Sequence, residues 1–216
     1  KLFQEAPNFH FRLADLERVD TEKKEIQTSI GTLGYDLLVL AMGAVTNFYG
    51  NKDIEAHCLP MKSIYEAIEM RNVLLEHFEE ALNQPVEGDR ERTMNVVVVG
   101  GGPTGVELAG AIADMKRFVF PRDYPELDFS RMKICILEAA DRLLSPMSPF
   151  ASRKAAEYLT RMGVEVKTCS AVEKYDGDTI TLCTGETIPT RTVIWSAGVR
   201  IPDIPGLEKA QRGRGA

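Results

Sequence analysis

Four consecutive valines, Val96-Val97-Val98-Val99, run directly into Gly100-Gly101-Gly102-Pro103-Thr104-Gly105, and no other junction constrains the fold as strongly. A β-branched run that is apolar at every position reads as a strand buried on both faces, the habit of parallel sheets. The residues after the glycines, Val106 to Phe118, are rich in small side chains and predict a helix. A G-x-G-x-x-G loop that follows a strand and opens a helix has the context of a dinucleotide-binding βαβ unit. Gly100 permits the tight turn, Gly102 lets the main chain approach a diphosphate, and Gly105 lets helix and strand pack closely. The unpaired N–H groups of the first helical turn, aided by the helix dipole, then attract phosphate.

Such a unit needs an acid at the end of its second strand to bond a ribose. Lys133-Ile134-Cys135-Ile136-Leu137-Glu138 is that strand, and Glu138 is the acid. It comes later than the usual separation of about 20 residues. The excess is assigned to an irregular insert from Phe120 to Arg131, which carries Pro121 and Pro125. Asp123 has the more usual spacing but falls inside that insert and is rejected. A carboxylate at Glu138 repels the additional phosphate of NADPH, so the expected ligand is NADH; Arg142, folded back, would weaken that preference. Glu107, early in the glycine-loop helix, has two open readings: complementing the helix dipole, or acting beside the nicotinamide.

The remainder is organised around this unit. Residues 1–49 read as strands of an antiparallel meander: Phe9 to Leu13, Glu25 to Ser29 after a charged turn, and Tyr35 to Ala41 as a buried strand ending at Gly43. In residues 50–92, Ser63-Ile64-Tyr65-Glu66 matches a capping box. A helical stripe of Ile64, Ile68, Leu75, Phe78 and Leu82 follows and stops before Pro85. Gln84 to Arg92 reads as a linker and a domain boundary. Beyond Glu138, Ser148-Pro149 opens a helix that Gly163 closes. Val164 to Thr168 is a third strand. The pattern then turns to hairpins, with Asp176-Gly177 as a type I′ pair, and Thr192 to Trp195 is a last apolar strand. Residues 201–216 form a tail whose end, Gln211 to Ala216, is expected to fray.

Composition narrows the function. A formal net charge of −6 argues against nucleic acid as a partner. Lys1 to Pro7 carry neither an apolar core nor a cleavage site, and no apolar run reaches the roughly 18 residues of a membrane span. The four cysteines, Cys58, Cys135, Cys169 and Cys183, form no C-x-x-C pair and read as free thiols in a reducing cytoplasm. The three histidines are dispersed, and no metal site is proposed.

The segment GGGPTGVELAG, Gly100 to Gly110, resembles the NADH-site loop of type II NADH dehydrogenases, FAD-containing NADH:quinone oxidoreductases of the two-dinucleotide-binding-domain flavoprotein superfamily. Three further segments carry the resemblance. Tyr35 to Gly43 is similar to the strand closing that family's FAD domain, Ile136 to Ala139 to its ribose-binding strand end, and Val193 to Val199 to the end of its NADH domain. The implied fold is α/β: a Rossmann-like NADH-binding domain over residues 93–200, with a parallel sheet, helices and an antiparallel meander insert. Strands of a partial FAD-binding domain precede it over residues 1–49, and a connecting helix and linker span 50–92. The resemblance implies that Ala139, Arg142, Ala197 and Gly198 join Glu138 and the glycine loop at NADH. It places Ala41, Met42 and Gly43 at FAD, and puts Glu107 near the nicotinamide and flavin in coupling to a quinone. The absent C-x-x-C agrees with this branch, since relatives that reduce disulfides need that pair.

The chain has one glycine loop where the family has two, and it reads as an internal stretch expected to bind NADH without holding FAD stably. Membrane contact is expected only as peripheral contact through segments outside this stretch, on the cytoplasmic face, and a homodimer is left open. Two rivals stand beside this reading. One is a related flavoprotein reductase with another acceptor. The other is a non-catalytic nucleotide-binding module, including a methyltransferase-like fold that the hairpins after Val164 disfavour.

Overall fold

The structure, a computed structural model, describes residues 6–208; the stretch Gln211 to Ala216 lies outside them. The chain forms two compact units, one containing residues up to Val45 and from Arg200 onward, the other Thr46–Val199.

The first unit contains an antiparallel meander of β1 (Leu16–Asp20), β2 (Glu25–Thr28) and β3 (Gly31–Gly34), in that order. Asp20 Oδ1 accepts the main-chain N–H groups of Glu22 and Lys23 and so shapes the charged turn between β1 and β2. Val19 is buried, and its N–H donates to the carbonyl of Pro205 at 2.9 Å.

Two expected strands are absent. Phe9 to Leu13 carries no ladder, and Tyr35 to Ala41 is irregular and open to solvent, with Leu37 84% and Val39 77% exposed. A strand apolar on both faces needs neighbours on both edges and cover on both sides. Among the described residues the first unit offers only the meander, which supplies neither.

The second unit begins within β4 (Val45–Thr46). Next come α1 (Lys52–His57), β5 (Leu59–Pro60), α2 (Ile64–Asn83), α3 (Glu87–Met94), β6 (Val96–Val99), α4 (Pro103–Phe118) and α5 (Phe120–Asp123). They are followed by β7 (Ile134–Leu137), α6 (Pro149–Arg161), β8 (Val164–Lys167), β9 (Val172–Tyr175), β10 (Thr179–Leu182), β11 (Thr187–Pro189), β12 (Thr192–Trp195) and β13 (Val199–Arg200). A five-stranded sheet runs in the order β5-β12-β6-β7-β8, parallel throughout, with Val99 level with Leu137 on one side and Trp195 on the other.

All residues of β6, β7 and β12 are buried, and the alternation of a strand explains why. Val96 and Val98 face a core built with α2, α4 and α6; Val97 and Val99 face a second core built with α1 and the β9-β10-β11 meander. The continuous valine run is therefore two alternating apolar faces with different partners.

Local chemistry sets several boundaries as the sequence predicts. Ser63 Oγ accepts the N–H of Glu66, and Glu66 Oε2 accepts that of Ser63 at 2.6 Å, a complete capping box. Ser148 caps α6 ahead of Pro149, and Gly163 follows that helix with φ +85°.

Other expectations fail. The buried stripe of α2 is Met70, Leu74, Phe78 and Ala81, while Ile64 is 80% exposed. Phe78 sets this face, because its ring packs 4.8 Å from Phe120 and 5.2 Å from Phe129. Leu74 and Ala81 are buried beside it, and Leu82, one turn on, is partly buried against the same core. The insert after α4 is not irregular throughout: α5 opens it, and Phe120, Leu127 and Phe129 fill the core. The stretch read as a linker holds α3, started by Glu87 and Asp89 in its first turn and tied by ion pairs from Arg131 to Glu87 and Glu91. The Asp176 turn puts only Gly177 at positive φ, and Asp176 Oδ1 accepts the N–H groups of Asp178 and Thr179; it is not a type I′ pair.

Candidate nucleotide-binding site

At the carboxyl ends of β12, β6 and β7 the sheet opens into a cleft of about 550 Å³. The glycine loop forms its floor. Gly100 takes φ +112°, and a β-carbon there would stand 2.7 Å from the main-chain nitrogen of Ala197. A β-carbon on Gly105 would land on the carbonyl oxygen of Gly100, so only glycine lets α4 start this close to β6. Gly102 differs: nothing lies within 4 Å of its β-carbon position, and it faces open space in the cleft. No side chain caps α4, and the first-turn N–H groups of Thr104 and Gly105 have no acceptor within the helix.

Glu138 reaches this loop. Its Oε2 accepts the N–H of Gly101 at 2.6 Å, and its Oε1 accepts that of Ala140 at 2.7 Å. Its main chain is pinned by β8, through a bond from its N–H to the carbonyl of Lys167 at 2.8 Å. Among the described residues it is the one charged side chain lining the cleft. A diphosphate placed here would meet main-chain amides and a helix N-terminus rather than Lys or Arg, while a carboxylate stands to one side.

The structure brings Gly100, Gly102, Pro103, Glu138, Ala139, Ala197 and Gly198 together along the cleft, with Gly101 beneath Glu138 and Thr104 exposed in the first turn of α4. Arg142 is not among them. Leu144 takes a left-handed φ of +51° and donates its N–H to the carbonyl of Gly101 at 2.7 Å. That tie presents Ser145 and Pro146 to the cleft; Arg142 donates to the carbonyl of Ser145 and lines a separate cavity with Asp141 and Thr168. Glu107 is exposed on α4, outside the cleft lining. Ala41, Met42 and Gly43 belong to the first unit, in its irregular stretch, with Gly43 at φ +76°.

Sequence reasoning missed Ser196 and Tyr49. Ser196 Oγ donates to the carbonyls of Val99 at 2.9 Å and Gly100 at 3.2 Å, locking the end of β12 to the loop. Tyr49 lines the cleft from the turn before α1 and has a left-handed φ of +54°. A bulky residue in a strained conformation is a usable signal, but it is visible only in the fold.

Residues 3–214 match the pyridine nucleotide-disulphide oxidoreductase family. The chain belongs to that family. Among curated relatives, it is 33% identical over 184 residues to the type II NADH:quinone oxidoreductase Ndh of Mycobacterium tuberculosis, a match covering 83% of this chain and 40% of that protein. It is 36% identical over 170 residues to the mitochondrial external alternative NAD(P)H-ubiquinone oxidoreductase B3 of Arabidopsis thaliana, covering 76% of this chain and 29% of that protein. The solved structure of NDH2 from Plasmodium falciparum in complex with NADH superposes with a TM-score of 0.76 at 25% identity, over 86% of this chain and 40% of that one. The chain therefore spans less than half the length of these relatives. Unlike the disulphide chemistry in the family's name, this member's cysteines offer no C-x-x-C pair. Cys58 and Cys135 lie in the core, where burial pushes each thiol up to about 12.

Proposed function

We propose that this chain is the NADH-binding portion of a flavin-dependent NADH dehydrogenase whose acceptor is a quinone. The observation that carries the reading is the pairing of an open-faced Gly102, beside the uncapped start of α4, with the Glu138 carboxylate at one cleft. The names of the curated relatives and the NADH-bound NDH2 neighbour support it.

In this reading the N–H groups at the start of α4 hold the diphosphate. The Glu138 carboxylate, with lone pairs beyond the two that accept main-chain N–H groups, takes the adenosine ribose hydroxyls and repels a 2′-phosphate. Ala197 and Gly198 border the other half of the dinucleotide. When bound in the whole protein, NADH would supply a hydride, and FAD would accept it and pass the electrons to a quinone. Glu107 is the acid proposed to couple that transfer, and Ala41 to Gly43 are proposed to meet FAD. The described residues contain no second strand–glycine loop–helix unit to cradle the FAD diphosphate, so the FAD and quinone steps are proposed for the whole protein. That protein is proposed to meet the membrane peripherally, from the cytoplasmic side; no helix of the described residues is long and apolar enough to cross it.

Trp195, the sole tryptophan, lines the cleft and serves as a reporter. Titration with NADH, NADPH and S-adenosylmethionine is expected to show saturable change with NADH, weaker binding of NADPH and no response to the third. Tighter NADPH binding would overturn the role given to Glu138. Silence toward both nicotinamide nucleotides would overturn the function. In the whole protein, Glu107→Gln is expected to lower quinone reduction while leaving NADH affinity unchanged.

A further inference from the structure

The sheet order gives the cleft a direction. β7, which ends at Glu138, and β12, which ends at Ser196, flank β6 on opposite sides. A dinucleotide held by its diphosphate at the loop after β6 must send its two nucleosides opposite ways. With the adenosine ribose toward Glu138, the nicotinamide half runs toward the end of β12, and the residue standing there is Tyr49.

Three features set Tyr49 apart from a residue that merely packs. Its backbone is held in the left-handed region at φ +54°, which a bulky side chain adopts only under constraint. Its mount is rigid: its N–H donates to Asn47 Oδ1 at 2.9 Å, Asn47 donates its own N–H to the carbonyl of Gly198 at 3.3 Å, and Trp195 Nε1 donates to the carbonyl of Asn47 at 2.9 Å. The turn is packed by Phe48, whose ring lies 5.9 Å from that of Trp195, and not by Tyr49, which stays 69% exposed. The Tyr49 hydroxyl occupies the space where a β-carbon on Gly198 would lie. A strained, fixed turn thus presents an aromatic ring to the cleft without using it for the core.

We propose that Tyr49 is the aromatic wall for the nicotinamide half of NADH, its ring covering the nicotinamide riboside in the bound state. The inference rests on the nucleotide reading of the cleft, and its test separates the two. NADH and ADP share the adenosine and the diphosphate; only NADH carries the half that Tyr49 would touch. Calorimetric titration of both ligands against wild type, Tyr49→Phe, Tyr49→Ala and Tyr49→Gly is the experiment, with a thermal melt of each variant. Tyr49→Gly removes the ring and relieves the left-handed strain, so it is expected to fold even if Tyr49→Ala does not. Loss of the ring is expected to weaken NADH about three- to tenfold, as for a lost aromatic contact, with ADP affinity unchanged and Tyr49→Phe close to wild type. Equal losses for NADH and ADP would reveal a structural role and overturn the proposal, as would NADH affinity indifferent to the ring while both ligands still bind. A wild type that binds neither ligand would overturn the cleft reading, and this inference with it.

Discussion

Glu138 Oε2 accepts the main-chain N–H of Gly101 at 2.6 Å, so the acid expected to select the ribose also shapes the glycine loop. Its other oxygen accepts the N–H of Ala140. In Glu138→Gln the charge is lost and an amide NH₂ is turned toward one of two main-chain donors. Removing a hydrogen bond to a charged group typically costs about 1.5–3 kcal/mol. The variant is expected to unfold at lower urea, to bind NADH about tenfold more weakly and to lose much of its discrimination against NADPH. Parallel titrations check this; an unchanged NADH-to-NADPH ratio would remove Glu138 as the discriminating group.

The loop glycines separate stability from binding. In Gly105→Ala the new methyl meets the carbonyl oxygen of Gly100, a backbone atom that cannot rotate away. The expected loss is about 2 kcal/mol or more, as for an overpacked site. Gly102 has φ −73° and open space at its β-carbon position, so Gly102→Ala meets no clash and is expected to cost only about 1 kcal/mol, the difference between glycine and alanine as an N-cap. Its methyl nevertheless stands where a diphosphate must approach, and NADH affinity is expected to fall at least about tenfold. A Gly102→Ala protein that binds normally would place the ligand elsewhere.

His77 gives acid sensitivity away from the cleft. Its Nδ1 pairs with Thr192 Oγ1 at 2.7 Å. Burial, then the Arg191 guanidinium, holds its pKa below the ordinary histidine range, against an opposite pull from Glu80 and Glu76. The unfolded chain therefore takes up the proton first as pH falls. The stability contributed by neutral His77 is fully present above about pH 6.5 and is lost as pH drops below it toward the lowered folded value. Urea midpoints at about pH 7.5 and about pH 5.5 are expected to differ more in wild type than in His77→Gln. Equal slopes would assign the acid sensitivity to other groups.

The cysteines should divide two and two. Burial raises the Cys58 and Cys135 thiols to about 12, leaving negligible thiolate at neutral pH, whereas Cys169 and Cys183 are exposed. An alkylating reagent is expected to modify Cys169 and Cys183 promptly in the folded protein and the other two only on unfolding, read by mass spectrometry of digests. Prompt labelling of Cys135 would mean that β7 opens locally.

Short-range chemistry was legible in the residues themselves. The valine run, the glycine loop, the Ser63-Glu66 box and the Ser148-Pro149 start each depend on atoms a few positions apart, and the structure shows all four. Errors arose where neighbours distant in sequence decide. On α2 the rings of Phe120 and Phe129 close over Phe78, which the stripe contained, but Met70 and Leu74 are buried beside it while Ile64 is exposed. Tyr35 to Ala41 looks buried from its apolar run, yet is exposed for want of partners among the described residues.

The candidate site divides along the same line. The residues alone determined that a glycine turn joins strand to helix between Val99 and Val106 and that an acid ends the next strand, because strand, turn and helix preferences are local. Only the tertiary structure decided that Arg142 faces another cavity, that Ser196 locks the loop, and that Asn47, 148 positions before Trp195, holds Tyr49 at the cleft. Those outcomes depend on which strands become neighbours in the sheet, a choice made by burial of two whole faces at once rather than by any single stretch of chain.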